Sequence, residues 1–347
     1  ADEIDKRTVY MVDMHEPLMF LHNLETTIKE PFASNPAVLR AIEKNHKKLQ
    51  IAMTKLYPGN LVLSLSSGIM YHRLVDRITA LNDVPREPLV PRRLGKNMCV
   101  PFGKILRGKV VPNTVTKTLH TDKVYEPDLE SYTIEPFPYY SPLNSQIETI
   151  RSFDRPVILV DDLVHKADRL RVLVPKLRET GIPIKKVVVG VLSGYGRDLM
   201  QCLKVPVESI YSMPNLRQWF VESTLYPFIG GDTVRREEMK VAGLQPSINM
   251  ILPYATPKLS GCSREALVEF SACCIENSRD LFQVLEAEYR KMYAKNLTLS
   301  RLSEAVILPL CPDKGSCMEY DENLAASVYL ENDLETLWRM KEFLIKG

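Results

Sequence analysis

Long apolar stretches are absent from the 347-residue sequence. None approaches the roughly 20 apolar residues that a membrane-spanning helix needs, and residues 1–7 are mostly charged where a signal peptide would be apolar. A large excess of one charge is also absent, because 45 Lys and Arg residues face 43 Asp and Glu residues. A dedicated nucleic-acid-binding domain is usually strongly basic. We therefore expect a cytoplasmic protein, with no membrane and no nucleic acid among its partners.

A disulfide or zinc framework is absent as well. The seven cysteines are odd in number and widely spaced, and the sequence has no second Cys/His pair at zinc-ligand spacing. This pattern is typical of reduced, structural thiols. Hydrophobic residues make up 45% of the chain and charged residues 25%, close to the globular average. The chain can therefore bury a sizeable core without metals or disulfides.

The first part of the chain has helical periodicity. Four apolar residues recur at helical spacing: Leu18, Leu21, Leu24 and Ile28. Asn35 followed by Pro36 is typical of a helix N-cap and a first-turn proline. We therefore predict a mainly helical segment over residues 16–57.

A strand, a small-residue loop and a helix follow. Residues 61–65 form a short apolar run that predicts a buried strand. Ser66, Ser67 and Gly68 form the predicted loop, and the apolar spacing over residues 69–81 predicts a helix.

Residues 82–145 contain nine prolines, so little of this segment suits a regular helix. Between residues 104 and 123 the segment carries five Lys and Arg residues against one Asp. Connections of this length are often binding loops or lids. We therefore predict a long basic loop over 82–145 that acts as a binding loop or a lid.

A βαβ unit is predicted next. Residues 156–160 form an apolar strand that ends in Asp161 and Asp162, and residues 163–168 form a loop. The following helix has four apolar residues on one face: Leu170, Leu173, Val174 and Leu177. Gly181 ends that helix, and residues 187–192 form the next buried strand. Such units pack as right-handed crossovers in a parallel sheet.

These patterns predict an α/β protein with a Rossmann-like parallel sheet and helical additions. We expect a helical N-terminal segment at 1–57, an α/β core at 58–235 and a helical region at 236–347. Within that last region, helices are predicted from Ser263 onward and over residues 321–345.

Two predicted strands end in polar loops that open helices. In open parallel sheets, ligands bind at the carboxyl ends of the strands. A helix N-terminus offers unpaired N–H groups and a positive dipole end, which suit phosphate. The loops at 64–68 and 161–168 therefore predict a site for a ligand with two phosphorylated ends.

The strand 157–160 with Asp161 and Asp162 resembles the motif of the type I phosphoribosyltransferases. The resemblance covers roughly residues 58–235. It implies a core of phosphoribosyltransferase type that transfers ribose 5-phosphate from phosphoribosyl pyrophosphate to an acceptor, which the sequence does not identify.

The resemblance also implies site residues and a cofactor. Asp161 and Asp162 would bind the ribose hydroxyls and Mg²⁺, and Ser66, Ser67 and Gly68 would bind the pyrophosphate. The basic loop would close over the site through three cations: Lys104, Arg107 and Lys117. The loop after the acidic pair would grip the 5′-phosphate, through His165, Lys166, Ala167, Asp168 and Arg169.

That phosphate loop departs from the family pattern, because residues 163–169 contain none of the glycines that let backbone approach a phosphate. Lys166 and Arg169 would supply charge in their place, and Asp168 would repel the phosphate unless Arg169 pairs with it. A second hypothesis is therefore a regulatory protein that binds a nucleotide or phosphoribosyl pyrophosphate without chemistry.

A third hypothesis is an interaction protein whose C-terminal helices form the working surface. The helical flanks could equally build an acceptor-binding hood or a homodimer interface. A receiver domain is set aside, because the strands at 187–192 and 207–211 lack the further aspartate that such a domain needs.

Overall fold

The computed structural model describes residues 10–11, 16–91, 93–238, 240–257, 259, 261–314 and 319–346. The β-strands are β1 (Tyr10–Met11), β2 (Leu18–His22), β3 (Val62–Ser66), β4 (Met98–Pro101), β5 (Val115–Thr116), β6 (Thr121–Tyr125), β7 (Tyr132–Pro136), β8 (Val157–Val164), β9 (Ile184–Ser193), β10 (Val207–Met213), β11 (Gln218–Val221), β12 (Asp232–Val234), β13 (Gln245–Ile248) and β14 (Leu310–Pro312). The α-helices are α1 (Pro36–Leu56), α2 (Ser67–Leu81), α3 (Leu143–Arg151), α4 (Asp168–Glu179), α5 (Gly194–Cys202), α6 (Arg264–Tyr293) and α7 (Ala326–Lys346). Short 3-10 helices lie at Leu24–Thr27, Glu222–Leu225 and Leu299–Glu304.

Three sheets are formed by the described strands. The largest has the order β1-β10-β9-β8-β4-β5, and all of its pairings are parallel. A three-stranded sheet has the order β11-β2-β3, and a five-stranded sheet has the order β14-β13-β12-β6-β7. The prediction of an α/β protein with a parallel sheet is confirmed.

The predicted βαβ unit is present as β8, α4 and β9. Its helix buries the four predicted residues, each at most 1% exposed. Gly181 follows the helix with a φ of +76°, a left-handed conformation that glycine adopts at no steric cost. Strand β8 is buried on both faces from Val157 to Val160, as expected of a strand covered by crossover helices.

The chain divides into two compact units. The first contains residues 1–17, 65–123 and 133–218, and the second contains residues 18–64, 124–132 and 219–347. This division differs from the three consecutive segments expected from the sequence, because residues 18–64 and 219–347 belong to one unit. Sequence patterns do not reveal which distant segments pack together.

The second unit has a helical core. Helix α1 begins after the predicted N-cap, where the Oδ1 atom of Asn35 accepts hydrogen bonds from Ala37 N and Val38 N. In the interior of this unit, Asn45 and Asn277 each donate from the side chain to the other's backbone carbonyl, at 2.8 and 2.9 Å. The buried side-chain nitrogens of these two residues are therefore paired at the position where α1 meets α6.

The helix predicted around Leu18 and Leu21 is wrong, because residues 18–22 form β2 and residues 24–27 a 3-10 helix. Residues 18–21 are all buried. When every residue of an apolar run is buried, the run has no polar face, so its periodicity does not distinguish a helix from a strand.

The long loop predicted over 82–145 is only partly a loop. It contains β4 to β7 and the start of α3. Strand β4 lies beside β8 in the parallel sheet, and Met98, Cys99 and Val100 are fully buried. The apolar run of β4 has only four residues and ends in a proline, so the pattern is too short for a strand to be predicted from it.

Helix α6 begins after the predicted cap, with the Ser263 hydroxyl accepting from Ala266 N at 3.1 Å. The last helix begins at Ala326, five residues after the predicted start. None of the helices in the described ranges combines the length and the apolar character needed to cross a membrane.

Candidate functional site

The acidic pair lies within β8. The sequence predicted that the strand would end in Asp161 and Asp162, but β8 continues to Val164 because Leu163 and Val164 still pair with β9. The neighbouring strand β4 pairs with β8 up to Pro101, opposite Val160. The chain therefore leaves β4 beside Asp161, at the carboxyl end of the sheet.

Gly103 lies against both carboxylates. A Cβ atom at this residue would lie 2.5 Å from Oδ1 of Asp162 and 2.8 Å from Oδ1 of Asp161. It would also lie 2.8 Å from the Asp162 backbone nitrogen. Only glycine permits this approach, so the turn after β4 and the acidic pair form one packed group.

The Asp162 carboxylate holds the turn after β4. Its Oδ2 accepts from Lys104 N at 2.7 Å and its Oδ1 from Ile105 N at 3.1 Å. Oδ1 of Asp161 accepts from Asp162 N at 2.8 Å. Hydrogen bonds to an ionised carboxylate are stronger than neutral ones, so Asp162 orders the backbone of the basic segment.

Two arginines lie near the acidic pair. Nη1 of Arg169 donates to the Phe102 carbonyl at 2.6 Å. Burial raises the pKa of Asp161 to about 7, with Arg169 and Arg107 opposing the rise and the neighbouring Asp162 adding to it. A carboxyl that remains partly protonated near neutrality would gain from a bound cation.

Arg107 is half-buried and stacks over the Phe137 ring, 4.3 Å from its centroid. Burial lowers its pKa, and Arg169 adds to that effect. Burial also lowers the pKa of His120, with Arg107 and then Lys117 adding to the shift. Arg169 therefore lies close enough to Arg107 to change its pKa, and Arg107 and Lys117 lie close enough to His120 to do the same. The Lys117 side chain is exposed.

The predicted phosphate loop is the three-residue segment 165–167 between β8 and α4. Ala167 has a φ of +54° and is the N-cap residue of α4. Its side chain accepts no hydrogen bond from the first backbone N–H groups of the helix. Left-handed backbone costs a non-glycine residue about 1–2 kcal/mol. Lys166 is exposed. The helix N-terminus therefore lacks a side-chain cap, with a lysine beside it.

His165 and Asp168 make local contacts. The His165 Nδ1 atom lies 2.7 Å from Oγ of Ser193, which also accepts from Gly196 N and so caps α5. Asp168 pairs with Lys123 at 2.6 Å. Arg169, the partner considered from the sequence, instead donates to a backbone carbonyl.

Ser66, Ser67 and Gly68 are not on a strand next to β8. Their strand, β3, pairs in the three-stranded sheet, and Ser66 acts as the N-cap of α2. Met70 in the first turn of α2 packs against Gly190, where a Cβ atom would lie 2.1 Å from its Sδ atom. That Cβ atom would lie 2.6 Å from the Asp162 carbonyl oxygen. The start of α2 is therefore near the acid-bearing half of β8.

Sequence reasoning missed Gly103. The signal that could have found it is a glycine two residues after the short apolar run 98–101, immediately before Lys104. A glycine directly after a buried strand often marks a close backbone approach. Arg169 was identified, but as a phosphate ligand rather than as a donor to the turn after β4.

The acidic pair suits Mg²⁺ chemically. Asp161 Oδ2 accepts no hydrogen bond from the described residues, and Oδ1 accepts one. Mg²⁺ is usually held by one or two carboxylates together with waters and substrate phosphates. Asp161 could therefore contribute a ligand atom, whereas both oxygens of Asp162 already accept backbone hydrogen bonds.

Comparison with known proteins adds little. No model of a protein family matches the sequence, and no curated protein matches it. The chain is similar to the crystal structure of a purine phosphoribosyltransferase from Pyrococcus horikoshii Ot3, with 13% identity and a TM-score of 0.25. The alignment covers 45% of this chain and 87% of that chain. A likeness at this level supports no conclusion, so the interpretation depends on the site itself.

Proposed function

We propose that this chain is a phosphoribosyltransferase-like enzyme that uses phosphoribosyl pyrophosphate and Mg²⁺. The observation that carries the proposal is the convergence of the Asp161 and Asp162 carboxylates beside Gly103 at the carboxyl end of a parallel sheet. Ligands of open parallel sheets bind at that end.

Each part of the ligand has a proposed contact. Asp161 accepts hydrogen bonds from the ribose hydroxyls and supplies a ligand to Mg²⁺. Lys166 and the N-terminus of α4 bind the 5′-phosphate, since that helix has no side-chain cap. Lys104, Arg107 and Lys117 face the pyrophosphate, and the start of α2 at Ser66–Gly68 offers a further anion contact.

The reaction breaks the bond between the anomeric carbon and the pyrophosphate oxygen, and the electron pair leaves with pyrophosphate. The acceptor donates a lone pair to the anomeric carbon and loses a proton. Positive charge develops at the sugar and negative charge at the leaving group. The carboxylate of Asp161 and the three cations stabilise these charges. Mg²⁺, when bound, neutralises part of the pyrophosphate charge.

A second candidate is a regulatory protein that binds the same ligand without turnover. The observation that favours it is the double hydrogen bond from the Lys104 and Ile105 backbone to Asp162, which occupies a carboxylate that a transferase would use for ribose. Ala167, in place of a phosphate-loop glycine, points the same way.

Release of pyrophosphate tests the proposal. The protein is incubated with phosphoribosyl pyrophosphate and Mg²⁺ together with purine bases, pyrimidine bases or ammonia. We expect release with one acceptor, and loss of at least about 100-fold of that rate in an Asp161→Asn, Asp162→Asn variant. Asp198→Asn, an exposed aspartate in α5, is the control.

The outcomes separate the two candidates. Tight calorimetric binding without release by any acceptor would support the regulatory protein. Full activity of the double variant, or equal binding by it and the parent protein, would refute both candidates at this site.

A further inference from the structure

A cluster of metal-ligating side chains lies in the second unit. His22 is the last residue of β2, His46 lies in the middle of α1, and Glu222 begins the 3-10 helix after β11. One ligand atom from each residue lies within 4.8 Å of the other two. The three residues come from separate elements, so the fold rather than the sequence assembles the group.

The distances match those between metal ligands. The Nδ1 atoms of His22 and His46 are 2.7 Å apart, and so are their Nε2 atoms. Nδ1 of His46 lies 3.1 Å from Oε1 of Glu222, and Nδ1 of His22 lies 3.6 Å from Oε2. Zinc binds nitrogen and oxygen at about 2.0–2.2 Å, which places neighbouring tetrahedral ligands about 3.3 Å apart. The observed separations bracket that value.

Hydrogen bonding between the rings does not explain their approach. The rings stack with centroids 3.1 Å apart and planes 25° apart. The N–H bonds and the nitrogen lone pairs of imidazole both lie in the ring plane, so the stacked rings neither donate to each other nor direct both Nδ1 lone pairs at one metal until a ring rotates. The Cβ–Cγ torsion of histidine is soft, and a small rotation would open the 2.7 Å separation to the distance that a shared metal needs.

The surroundings orient the ligands. Oγ of Ser64 lies 2.6 Å from Nε2 of His22 and also accepts from Gln50 at 2.6 Å. A hydrogen bond from Nε2–H to Ser64 leaves the lone pair on Nδ1 of His22, the atom that lies 3.6 Å from Oε2 of Glu222. Metal-bound histidines usually donate their other ring N–H to a carboxylate, a backbone carbonyl or water, and Oγ of Ser64 would be the acceptor here.

Glu222 is held in place before any metal binds. Its side chain is 1% exposed. The next residue, Ser223, donates from its backbone N to Asn23 and accepts from the Asn23 side chain, both at 2.9 Å. A buried carboxylate needs a compensating positive charge. The histidines are 15% and 23% exposed, so an ion can reach the carboxylate from solvent.

A Ser–His–Glu catalytic relay is the competing interpretation, since Ser64, His22 and Glu222 lie in that order. The distance from His22 to Glu222 is 3.6 Å, beyond hydrogen-bond range. His46 occupies the nearer position, at 3.1 Å from the carboxylate. The geometry therefore favours a metal over a nucleophilic serine.

We propose that His22, His46 and Glu222 bind one divalent transition-metal ion, with zinc as the best match. Two imidazoles and one carboxylate suit zinc, whereas Mg²⁺ prefers oxygen ligands. Three protein ligands leave at least one coordination position for water or a small ligand. This inference is independent of the phosphoribosyl site.

The first test titrates the full chain, stripped of metal with a chelator, with Zn²⁺ in a calorimeter. We expect one Zn²⁺ per chain, no comparable binding of Mg²⁺, and affinity at least about 100-fold weaker in His46→Asn and Glu222→Gln. His72→Asn is the matched control, because this exposed histidine lies in α2 outside the cluster. Equal affinity in all four proteins would overturn the proposal.

The second test requires no variant. Co²⁺ is added to the metal-free parent protein, and its visible absorption is recorded. We expect the intense bands of four- or five-coordinate cobalt, lost on adding one equivalent of Zn²⁺. A spectrum identical to that of hydrated Co²⁺ would overturn the proposal even if the variants failed to fold.

Discussion

The two candidate sites differ in how the chain builds them. The acidic pair consists of two consecutive residues on one strand, and the turn that it holds comes from the next strand of the same sheet. The histidine cluster joins residues 22, 46 and 222, which no local pattern connects. The comparison teaches that candidate residues carried by one strand can be identified from a sequence, whereas a cluster assembled from distant elements requires the fold.

The largest expected effect concerns Gly103. In Gly103→Ala, the new Cβ atom would lie 2.5 Å from an Asp162 oxygen and 2.8 Å from the Asp162 backbone. Part of the obstacle is backbone, so the turn must move. We expect a loss of about 2 kcal/mol in the free energy of unfolding, measured with urea, together with weaker binding of phosphoribosyl pyrophosphate.

Gly68→Ala is the matched control for that variant. A Cβ atom there would meet only Oγ of Ser66, at 3.5 Å, which is ordinary contact. Alanine is preferred to glycine within a helix, so we expect a gain of about 0.5–1 kcal/mol. Equal stability of the two variants would show that the turn after β4 does not pack against the acidic pair as described.

Around the acidic pair, part of the fold could be predicted from the sequence and part could not. The unit β8–α4–β9 could be predicted because its apolar run, helical spacing and Gly181 agree. Strand β4 could not, because four residues carry too little periodicity. Its neighbour Gly103 was therefore missed, although it decides how close the backbone comes to Asp161 and Asp162.

Around the histidine cluster, the sequence did not predict the elements that carry His22 and Glu222. Leu18 to Leu21 are buried on every side, so the helical spacing seen in the sequence was misleading and β2 was not predicted. His22 could then not be placed at the end of a strand. Nothing near Glu222 in the sequence indicates that it becomes buried, since burial depends on contacts made across the whole second unit.

The second-largest expected effect is a change in Zn²⁺ affinity, which tests whether Ser64 orients His22. In Ser64→Ala, Nε2 of His22 loses its contact with Oγ of Ser64 and keeps its contact with Nε2 of His46. Loss of such an outer partner weakens metal binding by about 10–100-fold, so we expect Zn²⁺ affinity to fall by about 10-fold while one site per chain remains. Calorimetry measures both quantities. Unchanged affinity would mean that Ser64 does not orient the histidine.

The smallest effect concerns the pKa of Asp161, which is raised by burial to about 7. Ionising this carboxyl costs more in the folded than in the unfolded protein. The resulting loss of stability is absent below the ordinary pKa, grows as pH rises toward about 7 and is constant above it. We expect Asp161→Asn to raise the melting temperature by a few degrees (roughly 1 kcal/mol) at pH 8, and less at pH 4.5.

Asp198→Asn controls for the general effect of removing a carboxylate, and its melting temperature should differ from that of the parent protein equally at both pH values. An Asp161→Asn variant that gained stability only at the lower pH would contradict the assigned direction. The two arginines near Asp161 would then dominate over burial.

The most direct test of the acidic-pair site is a crystal structure of the protein soaked with phosphoribosyl pyrophosphate and Mg²⁺. We predict that the ribose hydroxyls lie within about 2.6–3.2 Å of the Asp161 carboxylate, with the 5′-phosphate at the start of α4. Ligand density elsewhere on the chain, or none beside Asp161 at saturating ligand, would contradict the account.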